Sequence, residues 1–179
     1  MASKMRVKEL CDFMVKRERL RIAKEKGSTR PWTTDPILAQ YRFCNVHRED
    51  DRVTKWIAAN WRDCNAGLDD LWFAMVVARL LNLPESLEAV GFPIPWKPIR
   101  FLHVLATRRE NGLKNFNAAY IVSTNGHTMD KCLYLVERVL APMWANRKSV
   151  RPVAADTLAS FHQRLTMFDG MGNFMAAQV

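Results

Sequence analysis

The sequence predicts an all-α fold, and three observations support that prediction. Apolar residues recur at helical spacing in several segments, no segment of useful length alternates as a half-buried strand does, and proline or glycine separates the helical segments. A chain of 179 residues that is 49% hydrophobic and 25% charged can bury a sizeable core. We therefore expect a single multi-helix domain over residues 1–179, with short connections.

The first predicted helix runs from Met5 to Lys26 and ends before Gly27, a residue that favours helix C-termini. Its first half carries apolar residues at helical spacing, and its second half is strongly basic. Three cations of the second half are predicted to contact phosphate groups: Arg17, Arg21 and Lys24. Because acidic residues lie among them, a solvated helical face is the alternative interpretation.

A short second helix is predicted from Pro36, because Asp35 suits the N-cap and proline suits the first helical position. The next helix is predicted over Glu49–Trp61, with an apolar face toward the core. Four charged residues around its start lie three or four positions apart and are expected on one helical face: Arg48, Asp51, Arg52 and Lys55.

Further helices are predicted along the rest of the chain. Residues 68–81 are apolar nearly all round, which indicates a buried central helix. After a proline-rich connector, helices are predicted over residues 98–110, 128–145 and 154–167. Residues 117–122 are short enough for a helix or a strand, and the helical context favours a helix.

The composition argues against several classes of protein. The first twenty residues are basic and lack an apolar run, and 18 apolar residues never occur together, so we expect neither a signal peptide nor a membrane partner. The four cysteines are separated by 33, 20 and 68 residues and form no C-x-x-C pair. We therefore expect a cytosolic protein with reduced thiols and no metal.

The charge distribution favours a polyanionic partner. The chain carries a net charge of +9, and residues 1–62 hold 15 Lys and Arg against 8 Asp and Glu. Each cation that neutralises a phosphate gains from counterion release, so nucleic acid is the partner class that this asymmetry predicts. A solvated basic surface is the alternative.

Aromatic residues are interleaved with the basic ones. Most of the six tryptophans are expected in the core. Trp32 and Tyr41 lie in or beside predicted loops, so they are candidates for stacking on an exposed base.

Two turn motifs add candidate residues. His127 follows an Asn-Gly turn and could donate to a phosphate or relay a proton, with Lys131 one helical turn farther on; a capping or surface role is the alternative. Gly170 and Gly172 form a tight turn before a small-residue helix, where backbone N–H groups could approach a DNA phosphate. A packing turn between helices is the other interpretation. Signatures of P-loop kinases, zinc proteases and serine hydrolases do not occur in the sequence.

The chain resembles one family in four motifs across roughly residues 5–179. The motifs are Trp32-Thr33-x-Asp35-Pro36-Ile37-Leu38, Tyr41-Arg42-Phe43-x-Asn45-Val46-x-Arg48-x-x-Asp51-Arg52, Asn125-Gly126-His127 and Gly170-x-Gly172. In these motifs the chain is similar to the helical domain associated with 5-hydroxymethyldeoxyuridine DNA kinases and with the α-glutamyl/putrescinyl-thymine pyrophosphorylases of phages and bacteria.

This resemblance implies a helix-hairpin-helix fold like that of DNA glycosylases. In such glycosylases a catalytic Asp lies beyond the glycine turn, whereas this sequence stops at Val179. A helix that starts at Phe174 would then be barely two turns long, so we expect that C-terminal sequence is missing.

The resemblance also implies a role in thymine hypermodification. In that family a P-loop kinase pyrophosphorylates 5-hydroxymethyluracil in DNA, and a helical enzyme then displaces pyrophosphate with an amine or amino acid. Because a P-loop is lacking here, displacement is the favoured activity. A non-catalytic DNA-binding domain of a 5-hydroxymethyldeoxyuridine DNA kinase is the first alternative, and a base glycosylase is the second. The expected partners are duplex DNA with modified thymine, an amine or amino-acid donor and a separate P-loop kinase in the cytoplasm of a bacterial or phage-infected cell, with no cofactor.

Carried over by position, the resemblance assigns the site to Arg42, Asn45, Arg48, Asp51 and Arg52. The three arginines would bind the pyrophosphate leaving group through their forked guanidinium groups. Asn45 would read an edge of the base, and Asp51 would orient an arginine or accept a proton from the amine. His127 is the additional candidate for proton transfer.

Overall fold

The computed structural model describes residues 2–118 and 122–179, with side chains from residue 5 onward. All regular elements within these residues are helices, which confirms the predicted all-α class. The chain forms two compact units, residues 1–55 and 56–179. None of the helices in the described ranges is both long and apolar enough to cross a bilayer.

The first unit contains two helices that match the sequence predictions. Helix α1 spans Ala2–Glu25 and helix α2 spans Pro36–Gln40. The carboxylate of Asp35 caps α2 and accepts hydrogen bonds from the backbone N–H groups of Ile37 and Leu38 at 3.0 and 3.3 Å. This cap fixes the start of α2, and the helix ends at Tyr41, whose backbone N–H donates to the Ile37 carbonyl oxygen.

The third predicted helix begins later than expected, because Asp51 caps it. Residues Arg48–Asp50 form a 3-10 turn, Asp51 is extended with ψ at 136°, and helix α3 spans only Arg52–Ile57. The Asp51 carboxylate accepts the Thr54 backbone N–H at 2.9 Å, which stabilises a helix start at this point. The prediction of one helical face that carries Arg48, Asp51, Arg52 and Lys55 is therefore wrong, since Arg48 precedes the cap.

A π-helical stretch over Ala58–Arg62 and a 3-10 turn over Asp63–Asn65 follow α3. Helix α4 spans Leu71–Leu81 and buries eight of its eleven residues, so the predicted central helix is confirmed with a later start. The ring of Phe73, which is fully buried, lies 5.3 Å from the Trp96 ring and 5.0 Å from the Trp144 ring. Burial of each such side chain stabilises the fold by about 1.5–3 kcal/mol.

Helices α5 and α6 span Pro84–Val90 and Pro98–Glu110, the second as predicted. Residues 131–145 form one continuous helical run: α7 over Lys131–Tyr134, a π-helical stretch over Leu135–Leu140 and α8 over Ala141–Ala145. This run begins three residues later than predicted because Asp130 caps it, accepting from Cys132 N–H at 2.9 Å. Part of the prediction for residues 117–122 lies outside the described residues.

The chain closes with three short helices: α9 over Arg147–Val150, α10 over Leu158–Leu165 and α11 over Asn173–Ala176. Helix α10 begins four residues later than predicted because Thr157 and Ser160 form a capping box. The glycine turn at 170–172 leads into α11, as the sequence predicts.

Candidate nucleic-acid interface

The first unit carries a groove whose lining is basic and aromatic. It has a volume of about 360 Å³ and adjoins a second hollow of about 350 Å³ that shares most of its residues. Within the part of the chain that the structure describes, neither Asp nor Glu lines this groove. We call it the basic groove, defined by Arg17, Leu20, Lys24, Arg30, Trp32, Leu38, Tyr41, Arg42 and Phe43.

Helix α1 supplies one wall of the basic groove. Arg17, Leu20 and Lys24 lie three and four positions apart, so they share one helical face. Leu20 is buried, and so is Leu38 of α2. The two buried leucines pack α1 and α2 within the first unit, and Arg17 and Lys24 lie at the surface of the groove.

Trp32 organises two of the cations. Its indole N–H donates to the carbonyl oxygen of Ser28 at 2.7 Å, which fixes the ring. The Lys24 ammonium lies 4.9 Å and the Arg30 guanidinium 4.4 Å from the ring centre. Such cation–π contacts are worth about 0.5–1 kcal/mol each at exposed sites. A base that stacked on Trp32 would compete with these cations.

Tyr41 and Phe43 are more available to a ligand. Tyr41 is 58% exposed, and Phe43 is 39% exposed with its ring 5.1 Å from that of Phe13. Tyr41 is the C-cap residue of α2, and its backbone N–H donates to the Ile37 carbonyl oxygen at 2.9 Å. Of the two stacking candidates predicted from sequence, Tyr41 has the freer ring.

Arg17 and Asn45 stabilise the loop after α2 through hydrogen bonds to its backbone and to each other. Arg17 donates to the Phe43 carbonyl oxygen at 2.9 Å and to the Asn45 side-chain oxygen at 2.7 Å. The Asn45 side-chain N–H₂ donates to the Asp50 carbonyl oxygen at 2.8 Å. Both ends of the Asn45 amide are therefore engaged within the protein, which leaves one N–H and one oxygen lone pair for the predicted contact with a base.

Arg21 lies in an ion cluster and not in the basic groove. Its guanidinium pairs with Glu18, with Glu25 at 2.7 Å and with Asp50 at 3.2 Å. The ammonium of Lys55 joins the same cluster, 3.2 Å from Glu25. Hydrogen bonding raises the pKa of Arg21 and lowers that of Glu18. Carboxylates thus neutralise Arg21 internally, which opposes its predicted contact with phosphate.

The remaining arginines of the predicted site are separated. Arg42 lines the basic groove, whereas Arg48 lies in the 3-10 turn and Arg52 is the first residue of α3. Both of these are exposed and neither lines the groove. Asp51 is occupied as a helix cap. The structure therefore brings Arg42 together with Arg17, Lys24, Trp32 and Tyr41, not with Arg48 and Arg52.

In the second unit, the two turn motifs meet. The side-chain N–H₂ of Asn125 donates to the Asp169 carboxylate at 2.7 Å, and His127 Nε2 lies 3.5 Å from the other Asp169 oxygen. The rings of His127 and Tyr134 are 5.5 Å apart. We call this group the turn cluster: Asn125, His127, Tyr134, Asp169 and Gly170.

The electrostatics of the turn cluster favour an ionised Asp169. Hydrogen bonding from Asn125 is the main cause that lowers the pKa of Asp169. Burial of the hydroxyl, with the Asp169 carboxylate nearby, raises the pKa of Tyr134 to about 12. The cluster therefore presents an ionised carboxylate beside the His127 ring, together with the protonated phenol of Tyr134.

Gly170 is required by its surroundings. Its φ is +72°, and an added Cβ would lie 3.1 Å from Val139 Cγ2 and 3.3 Å from the Tyr134 hydroxyl. Gly172 has φ at −63° and precedes α11, which is only four residues long. The structure thus gives Gly170 a packing role, and phosphate binding by this turn stays a prediction.

Lys131 contacts an aromatic ring. It is the first residue of α7, and its ammonium lies 4.3 Å from the centre of the Phe116 ring. Desolvation lowers its pKa. Its contact with an aromatic ring gives it a structural role, and its contact with a phosphate stays a prediction.

Three polar or aromatic residues of these sites lie outside the predicted candidates and motifs: Arg30, Tyr134 and Asp169. Arg30 lines the basic groove and Asp169 pairs with His127. The position of Arg30 two residues before Trp32 is a signal that could have found it; Asp169 has none, since its partner is distant in sequence. The four cysteines are free thiols, and no group of three potential metal ligands occurs in the described ranges.

Comparisons with known proteins agree with the resemblance in sequence. A family model described as "5-hmdU DNA kinase, helical domain" matches residues 4–179. A 5-hmdU DNA kinase of Bacillus phage SP10 is 27% identical over 180 residues, covering 86% of this chain and 27% of that protein. The chain thus spans about a quarter of this relative's length. No solved structure matches the chain. The chain therefore belongs to the family of helical domains of 5-hydroxymethyldeoxyuridine (5-hmdU) DNA kinases.

Proposed function

We propose that this helical domain binds duplex DNA that carries 5-hydroxymethyluracil and presents the modified base to a P-loop kinase. The observation that carries the proposal is the basic groove, where four cations and three aromatic rings surround a hollow of about 360 Å³. The family membership supports the choice of substrate class, and the lining of the groove supports the proposed mode of binding.

The lining of the basic groove suits a DNA backbone. Each phosphate that a Lys or Arg neutralises releases condensed counterions, which makes binding favourable and dependent on salt. Trp32 holds Lys24 and Arg30 in place, so less side-chain entropy is lost on binding. Arg42 provides a further guanidinium for bidentate contact with a phosphate.

The same groove suits a base that has left the duplex. A kinase that acts on the hydroxymethyl group of a base in DNA gains access when the base is extruded from the stack. The Tyr41 ring can then stack on the extruded base, at about 1–3 kcal/mol per base. The chain itself has no P-loop sequence, so the phosphoryl donor would be bound by a kinase domain in the same protein or a separate one.

The proposal is tested by DNA binding with matched variants. We expect Lys24→Ala to weaken binding to a 5-hydroxymethyluracil duplex several-fold more than Lys8→Ala, which removes the same charge from the same helix outside the groove. Arg42→Ala should likewise exceed Arg52→Ala. Equal losses of DNA affinity within each pair would show that the groove residues act only through the net charge of the protein, and they would contradict the proposal.

The turn cluster favours a second candidate function, displacement of pyrophosphate from the pyrophosphorylated base by an amine. His127 lies beside the ionised Asp169, so its imidazole could accept a proton from the incoming amine while the carboxylate stabilises the imidazolium. In this reaction the amine nitrogen bonds to the methylene carbon of the base as the bond to pyrophosphate breaks.

Turnover distinguishes the two candidates. The protein is incubated with DNA that bears the pyrophosphorylated base and with an amine, and pyrophosphate release is measured. Release that is lost in His127→Gln with DNA binding unchanged would favour displacement. Binding without release would favour the DNA-presenting domain, and abasic sites would instead indicate a glycosylase.

A further inference from the structure

One guanidinium group joins two parts of the basic groove. Arg17 lies on α1, and it hydrogen-bonds to the loop that supplies Tyr41, Arg42 and Phe43, which we call the loop wall. We propose that Arg17 is a positioning residue that holds the loop wall ready for base stacking and does not itself bind a phosphate. This role rests on the proposed function, and it differs from the phosphate contact that the sequence predicts for Arg17.

The hydrogen bonds of Arg17 use one whole edge of its guanidinium. Nε and Nη2 donate to the Phe43 carbonyl oxygen at 3.3 and 2.9 Å, and Nη2 also donates to Asn45 Oδ1 at 2.7 Å. Nε carries one hydrogen and Nη2 carries two, so these three bonds engage every N–H of that edge. A bidentate contact with a phosphate needs an N–H of Nη2 together with one of Nε or Nη1. Arg17 could therefore form such a contact only by releasing the loop.

The loop depends on side-chain contacts of this kind for its conformation. Residues 42–45 have no regular secondary structure. Asn45 links Arg17 to the next segment, because its side-chain N–H₂ donates to the Asp50 carbonyl oxygen at 2.8 Å. Arg21 lies one helical turn after Arg17 on α1 and pairs with the Asp50 carboxylate at 3.2 Å. Helix α1 thus holds the segment from residue 43 to residue 50 at both ends.

The stacking ring lies between two anchors. On one side the Tyr41 backbone N–H is bonded to the end of α2 at 2.9 Å. On the other side Phe43 is held twice, through its carbonyl oxygen by Arg17 and through its ring by Phe13, whose ring centre is 5.1 Å away. A ring that is held in place before binding loses less entropy when a base stacks on it. The bonds of Arg17 therefore favour stacking on Tyr41 without any contact between Arg17 and DNA.

The shape of the side chain at position 17 should matter more than its charge. Three other cations line the basic groove and supply its contacts with phosphate: Lys24, Arg30 and Arg42. A lysine at position 17 would keep the positive charge, but a single ammonium on a flexible stem does not reproduce the planar fork that binds both Phe43 and Asn45. Arg17→Lys therefore separates the positioning role from a purely electrostatic one.

The first arm of the experiment uses the intact chain labelled with ¹⁵N, without DNA. The side-chain amide signals of Asn45 are followed by NMR and are assigned by their loss in Asn45→Ala. We expect Arg17→Lys to shift these signals, because the amide oxygen loses its donor. Arg19→Lys makes the same chemical change on the same helix outside the basic groove, so it should leave them in place.

The second arm measures the affinity of the same proteins for a duplex that contains 5-hydroxymethyluracil. We expect Arg17→Lys to weaken binding about tenfold and Arg19→Lys to leave it unchanged. In a Tyr41→Ala background, Arg17→Lys should weaken binding only about twofold, because the ring that it positions is absent.

Equal tenfold losses in the presence and absence of the Tyr41 ring would overturn the proposal, since a phosphate contact is independent of that ring. Unchanged binding by Arg17→Lys would overturn it as well. If Arg17→Lys fails to fold, Asn45→Ala removes an acceptor of Arg17 but keeps its charge, and its effect should show the same dependence on Tyr41. A parent protein that does not bind the duplex would contradict the proposed function, and the first arm would then still decide whether Arg17 holds the loop.

Discussion

The side-chain amide of Asn125 donates a hydrogen bond to the carboxylate of Asp169 at 2.7 Å, across 44 residues of chain. This bond joins the Asn-Gly-His turn to the closing glycine turn, two motifs that are far apart in sequence. The same carboxylate faces His127, and Gly170 packs against Tyr134. The two motifs are thus parts of one local structure.

The Asn125–Asp169 bond should contribute to stability. We expect Asp169→Ala to lower the free energy of unfolding by about 1 kcal/mol, because it removes a charge-assisted hydrogen bond that is partly exposed. Asp169→Asn should cost less, since its amide oxygen can still accept from Asn125. Urea unfolding of both variants measures the difference, and equal losses would show that the charge matters and the bond does not.

Gly170 should tolerate no side chain. An alanine there would combine a φ of +72° with contacts of 3.1 Å to Val139 and 3.3 Å to Tyr134. We expect Gly170→Ala to lower the free energy of unfolding by about 1–3 kcal/mol. Gly172→Ala is the matched control from the same turn, because its φ is negative and nothing lies within 4 Å of an added Cβ.

Thermal or urea unfolding compares the two glycine variants, and DNA affinity is measured on both. A similar stability for the two would contradict the packing role of Gly170. A stable Gly172→Ala protein with weakened DNA binding would instead support the predicted contact between this turn and a phosphate.

Asp156 should make stability depend on acid pH. It pairs with Arg164 and accepts the Val153 N–H at 2.7 Å, and these bonds lower its pKa below the ordinary value of 3.8. A lowered pKa in the folded state stabilises the protein above pH 3.8, and the stabilisation is lost as the pH falls through the folded-state pKa. We expect the free energy of unfolding to fall below about pH 4.

Urea unfolding between about pH 5 and pH 2.5 measures this dependence. Asp156→Asn should flatten it, because the amide does not titrate. Other carboxylates with a lowered pKa, including Glu18 and Asp169, contribute to the same acid limb, so the variant should reduce the slope and not abolish it. An unchanged slope would contradict the assignment to Asp156.

The elements that sequence predicts correctly are those fixed by local signals. The all-round apolar character of residues 71–81 requires burial wherever the helix packs, and Asp35 followed by proline fixes the start of α2 by contacts within four residues. The start of α3 shows the limit. From sequence alone, Asp51 fits a charged helical face and an N-cap position equally well. In the structure its carboxylate accepts the Thr54 N–H, so it is the N-cap.

The sequence predicts most of the residues of the candidate site, but it does not predict which of them lie together. Arg17, Lys24, Trp32 and Tyr41 were predicted from their residue types and Arg42 from the family resemblance, and all five line the basic groove. Arg21 has the same chemistry and lies on the same helix as Arg17. Two of its three carboxylate partners, Glu18 and Glu25, lie three and four positions away on its own helix, where helical spacing could have revealed them. Only the contact with Asp50 depends on how the chain folds back.

Tyr41 should contribute to DNA binding through its ring. It is 58% exposed at the edge of the basic groove, and its hydroxyl is not needed for stacking. We expect Tyr41→Ala to weaken binding to a duplex that contains 5-hydroxymethyluracil by about 1–3 kcal/mol, and Tyr41→Phe to bind nearly as the parent does. Fluorescence anisotropy at fixed salt measures both. Because stacking is uncharged, the salt dependence of binding should be the same in all three proteins, whereas Lys24→Ala should reduce its slope by about one. A Tyr41→Ala protein that changed the salt slope but not the affinity would place Tyr41 in the electrostatic part of the interface and contradict its role as a stacking platform.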